Sequence, residues 1–306
     1  MPTLLVLTGP TAVGKTACAI AWAEALGTEI ISADSRQFYK EMRIGTAAPS
    51  AEELQRVKHH FIGHLSIHDS YNVYQFEQAA LHKLQELFRT HEQVILTGGS
   101  GLYIDAVCNG IDDLPDADPA LRENLRRMLQ EDRVEELHQM LKEKDPEYYE
   151  SVDKHNPIRL IRALEVCIQT GQSFSSLRRQ QAKKRPFRIE KYCLQLPQEE
   201  LYRRINQRVD QMIADGLLEE VRQLYPYRHL NALNTVGYKE LFDYLDHKCS
   251  LEESVSQIKN NTRHYAKRQH TWFKRDKEYR LLTPEEAKES LNGFFSIKTT
   301  KYLKNG

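Results

Sequence analysis

Apolar residues in the amino-terminal third of this chain fall into two alternating patterns. Short continuous runs at 3–8, 28–32 and 93–97 are bounded by turn residues, whereas the stretches at 14–26 and 73–89 place their apolar positions at helical spacing. Such alternation predicts βαβ units, and hence a parallel sheet with helices on its faces. A further strand-like run, 191–196, follows only after a long block, 116–181, that reads as helix throughout. Asp118-Pro119 is a helix start, and apolar stripes follow at Leu121, Leu125, Met128 and Leu129, at Val134, Leu137, Met140 and Leu141, and at Ile158, Ile161, Leu164 and Val166. Turn and charge signals bracket the block: Asp112-Asp113-Leu114-Pro115-Asp116 precedes it and Lys183-Lys184-Arg185-Pro186 closes it. The expected organisation is an α/β core made of 1–115 and 187–306, interrupted by an all-helical insertion at 116–186. After the fourth strand the pattern is again helical at 199–224, 237–245 and 251–275, and the chain closes in an exposed-looking tail.

The 306 residues are 40% apolar, enough for a sizeable buried core. No stretch approaches the roughly 20 apolar residues of a membrane span, and neither a basic segment nor a small-residue cleavage site accompanies the apolar amino terminus. A cytoplasmic protein with no membrane contact is expected. Cys18, Cys108, Cys167, Cys193 and Cys249 are odd in number and form no C-x-x-C pair, so reduced, mostly buried thiols are expected instead of disulfides or a zinc site.

Lys plus Arg balances Asp plus Glu at 43 each, so only the distribution of charge speaks about nucleic acid. The stretch 259–275 holds Lys259, Arg263, Lys267, Arg268, Lys274 and Arg275 and no acidic residue. Arg263, Lys267, His270 and Lys274 recur along one helix face, with Tyr265, Trp272 and Phe273 interleaved. Such a face suits a phosphodiester backbone, with aromatics for packing or stacking; the alternative is a solvated basic face packed through its aromatics. A second basic cluster runs from Arg178-Arg179 through Lys183-Lys184-Arg185 to Arg188.

Residues Gly9-Pro10-Thr11-Ala12-Val13-Gly14-Lys15-Thr16 form a complete G-x-x-x-x-G-K-[ST] loop between the first strand and the first helix. That context identifies a phosphate cradle. Loop N–H groups and the positive end of the helix surround a di- or triphosphate, Lys15 adds a point charge, and the Thr16 hydroxyl can hold Mg²⁺. The loop alone does not separate a kinase, a motor ATPase and a transferase. Ligands of an open parallel sheet sit beyond the carboxyl ends of its strands, and the second strand ends at Ser32-Ala33-Asp34. Asp34 could coordinate Mg²⁺, accept a proton or cap a turn. The third strand ends in Gly98-Gly99-Ser100-Gly101, whose glycines allow close backbone approach to a ligand and whose serine offers an oxygen. No acidic residue stands there, which argues against an ATP-hydrolysing motor. His59-His60 and His155 have no further ligand at metal spacing and read as turn or groove residues.

Taken together, these segments resemble the tRNA dimethylallyltransferase family over nearly the whole chain. The resemblance rests on the phosphate loop, Asp34-Ser35-Arg36-Gln37-x-Tyr39, Ile44-Gly45-Thr46-Ala47, Gly98-Gly99-Ser100-Gly101-Leu102-Tyr103, Arg162-Ala163-Leu164-Glu165-Val166, Leu201-Tyr202-Arg203-Arg204-Ile205 and Gly237-Tyr238-Lys239-Glu240. Its most specific piece is Thr262-Arg263-x-Tyr265-Ala266-Lys267-Arg268-Gln269-x-Thr271-Trp272-Phe273. Ser100 replaces the usual Thr and keeps its hydroxyl; Ala48 replaces the usual Lys and Gly63 a common Asp, and no role is assigned to either. No carboxyl-terminal zinc finger follows, as in the bacterial form.

The resemblance implies a P-loop-kinase-like core used for alkyl transfer from dimethylallyl diphosphate, with Mg²⁺, to the adenosine 3′ of the anticodon. Gly9, Pro10, Thr11, Ala12, Val13, Gly14, Lys15, Thr16 and Arg208 would hold the diphosphate, with Mg²⁺ on Thr16. Asp34 would be the general base, and Ser100 would orient the reacting groups. Asp34, Ser35, Arg36, Gln37, Ser100, Arg122, Arg159, Arg162, Arg263, Lys267 and Arg268 would meet the anticodon stem-loop. A monomer is expected. The rivals are a small-molecule or nucleotide kinase, a transferase acting on free AMP, and a non-catalytic RNA-binding switch.

Overall fold

A computed structural model describes residues 1–116, 118–178 and 182–290. Arg179 of the second basic cluster and the final tail lie outside the described residues. The chain divides into two compact units, one formed by Met1–Cys108 with the chain from Lys184 onward, the other by Asn109–Lys183.

The first unit is built on six parallel strands, β1 (Thr3–Thr8), β2 (Ile30–Ser32), β3 (His59–His60), β4 (Gln93–Gly98), β5 (Arg188–Leu194) and β6 (Arg280–Leu282), in the order β3-β2-β4-β1-β5-β6. The central strand β1 is buried along its whole length because helices cover both faces, which is why it reads as an unbroken apolar run. Before β5 come α1 (Lys15–Leu26), α2 (Ala51–Arg56), α3 (Val73–Leu87) and α4 (Gly101–Asn109). In register, Thr8 pairs with Gly98 and Ser32 with Thr97, so the segments after β1, β2 and β4 leave the sheet at one edge. That edge carries the phosphate loop, Asp34 and the glycine-rich turn.

The structure adds two strands to the four expected. β3 has two residues and β6 three, both too short to show a period, and β6 is mostly exposed. The fourth expected strand lies earlier than 191–196, over Arg188–Leu194, because Arg188 and Ile189 pair with Thr3 and Leu4 of β1.

In the second unit the helical block is cut into α5 (Pro119–Gln130), α6 (Val134–Lys144), α7 (Pro146–Ser151), α8 (Pro157–Thr170) and α9 (Phe174–Leu177). Each break has a local cause. Asp118, Asp145, Asn156 and Ser173 accept hydrogen bonds from the backbone N–H groups that open α5, α7, α8 and α9. Leu125, Leu137, Leu141, Leu160 and Leu164 form the centre of this unit's core, but Ile158, counted in the apolar stripe, is 78% exposed at the start of α8. Inside the unit Glu165 is fully buried, and Arg122 grips both of its oxygens, Nε to Oε1 at 2.5 Å and Nη2 to Oε2 at 2.8 Å. Arg162 approaches the same carboxylate at 3.4 Å and donates to the Pro115 carbonyl at 2.8 Å. This bidentate pair costs desolvation, and removing one partner leaves a charge stranded.

The remaining helices of the first unit are α10 (Gln198–Ala214), α11 (Leu217–Leu224), α12 (Tyr238–Leu245) and α13 (Leu251–Lys274). Ser250 and Glu253 form a capping box that starts α13. The cysteines form no disulfide; all except the partly buried Cys249 are buried, and burial pushes Cys193 up to about 11 and Cys108 up to about 12. No helix among the described residues is long and apolar enough to cross a membrane.

Replacing Arg122 by Ala is expected to destabilise the second unit by roughly 2 kcal/mol, the scale of a lost charge-assisted bond to a buried group, as read by urea denaturation. Glu165→Ala with Arg122→Ala should be less harmful than the sum of the single changes.

Candidate active site

Gly14 adopts φ 107°, a left-handed turn that aims the loop's backbone at the space above α1. A cavity of about 320 Å³ opens there, lined by Thr11, Lys15, Thr16, Asp34, Arg208 and Tyr265 among others. Lys15 bends back to donate to the carbonyls of Gly9 at 3.0 Å and Pro10 at 2.8 Å. Burial of the amine lowers its pKa to about 8, with Asp34 opposing the shift and Arg208 adding to it. Burial likewise lowers the pKa of Arg208, whose guanidinium lies 3.4 Å from the Thr11 hydroxyl. Asp34 is shifted upward, because burial outweighs the attraction of Lys15 and a bond from the Arg36 N–H at 3.2 Å. A carboxylate with raised basicity thus shares one cavity with two cations.

Ser100 ties the ends of β2 and β4 together. Its Oγ accepts from the Ser35 N–H at 3.0 Å and lies 3.1 Å from the Ser35 hydroxyl, while its own N–H donates to the Ala33 carbonyl at 3.2 Å. The glycines around it admit neighbouring side chains of α13 instead of leaving open ground for a ligand. A Cβ on Gly99 would come within 2.3 Å of Gln269, and one on Gly101 within 2.3 Å of the Trp272 ring. Gln269 is the functional candidate that the sequence reading missed. It is 5% exposed, donates to the Gly99 carbonyl at 2.9 Å and accepts from the Thr11 N–H at 2.8 Å, so it bridges the phosphate loop and the β4 turn. Its signal was its place in the most specific motif of the carboxyl-terminal helix, which gives no role by itself. Tyr265, on the same helix, has its hydroxyl pushed upward by burial and by Asp34.

The remaining residues proposed for nucleic acid divide by surroundings. Arg36 donates to the carbonyls of Asn231 at 3.0 Å and Ala232 at 2.9 Å, and Gln37 to those of Thr46 at 3.2 Å and Ala47 at 3.1 Å, so both brace loops around the cavity. Arg263 turns toward α10, bonding Asn206 at 2.8 Å and covering the Tyr202 ring at 5.3 Å. Lys267, Arg268, His270 and Lys274 are exposed along α13. In the second unit Arg159 is exposed, whereas Arg122 and Arg162 are committed to Glu165. In the second basic cluster Arg185 pairs with the fully buried Glu77 at 2.6 Å, whereas Lys184 and Arg188 are exposed. Ala48 lines a neighbouring groove with Arg208 and Met212, and Gly63 takes a left-handed φ of 57°.

Among the described residues no group of three or more His, Cys, Asp or Glu could hold a metal ion. A cation here would be held through a phosphate ligand with the Thr16 hydroxyl, the arrangement that suits Mg²⁺.

A phosphate loop, a basic carboxylate and no acidic residue at the end of β4 define a P-loop-like α/β enzyme of the group-transferring kind. A family model described as IPP transferase matches residues 37–276, and the chain belongs to that family. It is 52% identical to tRNA dimethylallyltransferase 1 of Bacteroides thetaiotaomicron, over 95% of this chain and 94% of that protein. It is 51% identical to the tRNA dimethylallyltransferase of Christiangramia forsetii, over 96% and 98%. Among solved structures it resembles the full-length tRNA isopentenylpyrophosphate transferase of Bacillus halodurans, with a TM-score of 0.70 and 34% identity over 100% of both chains. It also resembles a eukaryotic dimethylallyltransferase acting on tRNA, with a TM-score of 0.74 and 27% identity over 89% of this chain and 70% of that one.

Because Lys15 titrates near 8 in the ligand-free protein and an anion beside it raises that value, diphosphate affinity should hold below pH 8 and fall above it. Calorimetric titration with pyrophosphate checks this, with Lys15→Arg as the control for the ligand's own ionisation; the Arg variant should lack the step near pH 8.

Proposed function

We propose that this protein transfers the dimethylallyl group of dimethylallyl diphosphate to the exocyclic amine of the tRNA adenosine 3′ of the anticodon, releasing diphosphate. The observation that carries the reading is the presence of Asp34 in the same cavity as Lys15 and Arg208. The departing diphosphate gathers charge on its leaving oxygen, where Lys15, Arg208 and the N–H groups of the loop stabilise it. Mg²⁺, which the Thr16 hydroxyl would help to hold, would add Lewis-acid stabilisation of the departing diphosphate. An exocyclic adenine amine is a poor nucleophile because its lone pair is delocalised into the ring. Asp34, with basicity raised by burial, takes the amine proton as the bond to the allylic carbon forms. Ser100 keeps the Asp34 loop in register with the β4 turn.

The adenosine must leave the anticodon-loop stack to reach a cavity of this kind, at a cost of a few kcal/mol that is smaller in a loop than in a duplex. The exposed cations of α13 contact phosphates, and stem and loop are recognised largely by shape. The protein acts in the cytoplasm, as a monomer.

Incubation with Mg²⁺, labelled dimethylallyl diphosphate and unmodified tRNA should yield isopentenyl-adenosine on nucleoside mass analysis. ATP consumption, or labelling of free AMP without tRNA labelling, would overturn the reading. Asp34→Ala should slow single-turnover transfer by about 10²–10⁴-fold while tRNA binding persists.

A Lys267→Ala, Arg268→Ala double variant should bind tRNA more weakly. Its plot of log affinity against log salt should be shallower by roughly 1 to 2, as filter binding across a salt series would show.

A further inference from the structure

His59 and His60 are adjacent on β3 and so face opposite ways. His60 is satisfied, its Nε2 lying 2.6 Å from Glu29. His59 is not. Its Nδ1 lies 2.8 Å from the Val57 carbonyl, which only accepts, so Nδ1 carries the proton and Nε2 is a bare acceptor. That Nε2 is buried and has no hydrogen-bond partner among the described residues. Burial also holds the imidazole below its ordinary pKa, in its neutral, accepting form.

His59 lines a small cavity of about 30 Å³, whose walls also include Lys15 and Thr16 of the phosphate loop, Asp34 and Thr97. That volume exceeds the roughly 10–15 Å³ one water needs, and the walls are polar enough to keep it. The place matters as much as the size. A Mg²⁺ ion held by Thr16 and a diphosphate keeps most of its water ligands, and those waters need acceptors on the protein. Where P-loop NTPases commonly offer a strand-end Asp, β4 of this chain ends in Thr97 and Gly98.

We propose that His59 is an outer-sphere residue of the magnesium site, its Nε2 accepting a hydrogen bond from a water of the cation that Thr16 and the donor's diphosphate hold. The inference rests on the reading of the loop as a diphosphate site. His59 touches neither donor nor acceptor; it orients the hydrated cation.

The test uses Mn²⁺ in place of Mg²⁺, with inorganic pyrophosphate, and follows free Mn²⁺ by electron paramagnetic resonance. His59→Leu should bind pyrophosphate without metal as the wild type does, yet lose about 10- to 100-fold in Mn²⁺ affinity in its presence. His59→Gln, whose Oε1 accepts at similar reach, should recover most of that loss. Unchanged Mn²⁺ affinity in the Leu variant overturns the proposal. So does loss of metal-free pyrophosphate binding in both variants, which marks a purely structural residue. Failure of the wild type to bind pyrophosphate at all would instead sink the diphosphate reading itself.

Discussion

Two cations and one carboxylate confined in a single cleft set the terms for the rest of this structure. Lys15, Arg208 and Asp34 are each shifted against their charged forms by burial, and each is partly compensated by its neighbours of opposite sign. Lys15 and Arg208 face one close carboxylate in Asp34, with Glu53 at the cavity wall as a further acidic neighbour of Arg208. Two of the loop's groups are occupied internally: the Lys15 amine binds the loop's own carbonyls and the Thr11 N–H binds Gln269, while no side chain caps the start of α1. An incoming diphosphate would exchange bonds at those two groups, which contributes little net free energy, and would gain new ones only from the uncapped amides at the start of α1. Charge neutralisation in a low-dielectric cleft is what favours the bound state.

The sheet exists, in functional terms, to hold that cluster together. Parallel pairing of β1 with β4, and of β4 with β2, brings three chain reversals to one edge within a residue of register. Helix α13 then locks them from outside, Gln269 reaching in between two of the reversals and Trp272 lying on Gly101 with its N–H on Asp105 at 3.0 Å. The same helix presents Lys267 and Arg268 to solvent. One rigid element thus touches both the phosphate loop and the outer surface.

How much of this could be read in advance varied with the length and kind of signal. The phosphate loop, the central strands and the long helices were legible because each is specified locally, by spacing or by a run of one polarity. β3 and β6 were not: β3 is a pair of histidines and β6 is mostly exposed, so neither carries a buried apolar run like that of the similarly short β2, and each owes its existence to its neighbour. Gln269 was hidden for a different reason: an amide inside a basic helix gives no sign of facing inward until the helix is packed. Arg122 and Arg162, which the resemblance places at the nucleic acid, also meet the fully buried Glu165 within their own unit, a partner that their positions in the sequence do not announce. Pairing across the fold is a tertiary fact, and composition carries no trace of it.

The order in which this cleft is assembled follows from its connectivity. Thr11, Asp34 and Ser100 lie before the insertion, while Arg208, Tyr265 and Gln269 lie after it. The middle strand β1 stays an open edge until β5 arrives from the other side of that insertion. The insertion itself is held by contacts within one continuous stretch of chain, α6 against α7 and α8 and α5 against α8, and such short-range contacts close quickly. On a ribosome the helical unit is therefore free to form while the earlier half-sheet still waits for its partner strand, and the phosphate loop acquires its Gln269 clasp only when α13 has been made. A chain that stops short of α13 therefore cannot present a finished site.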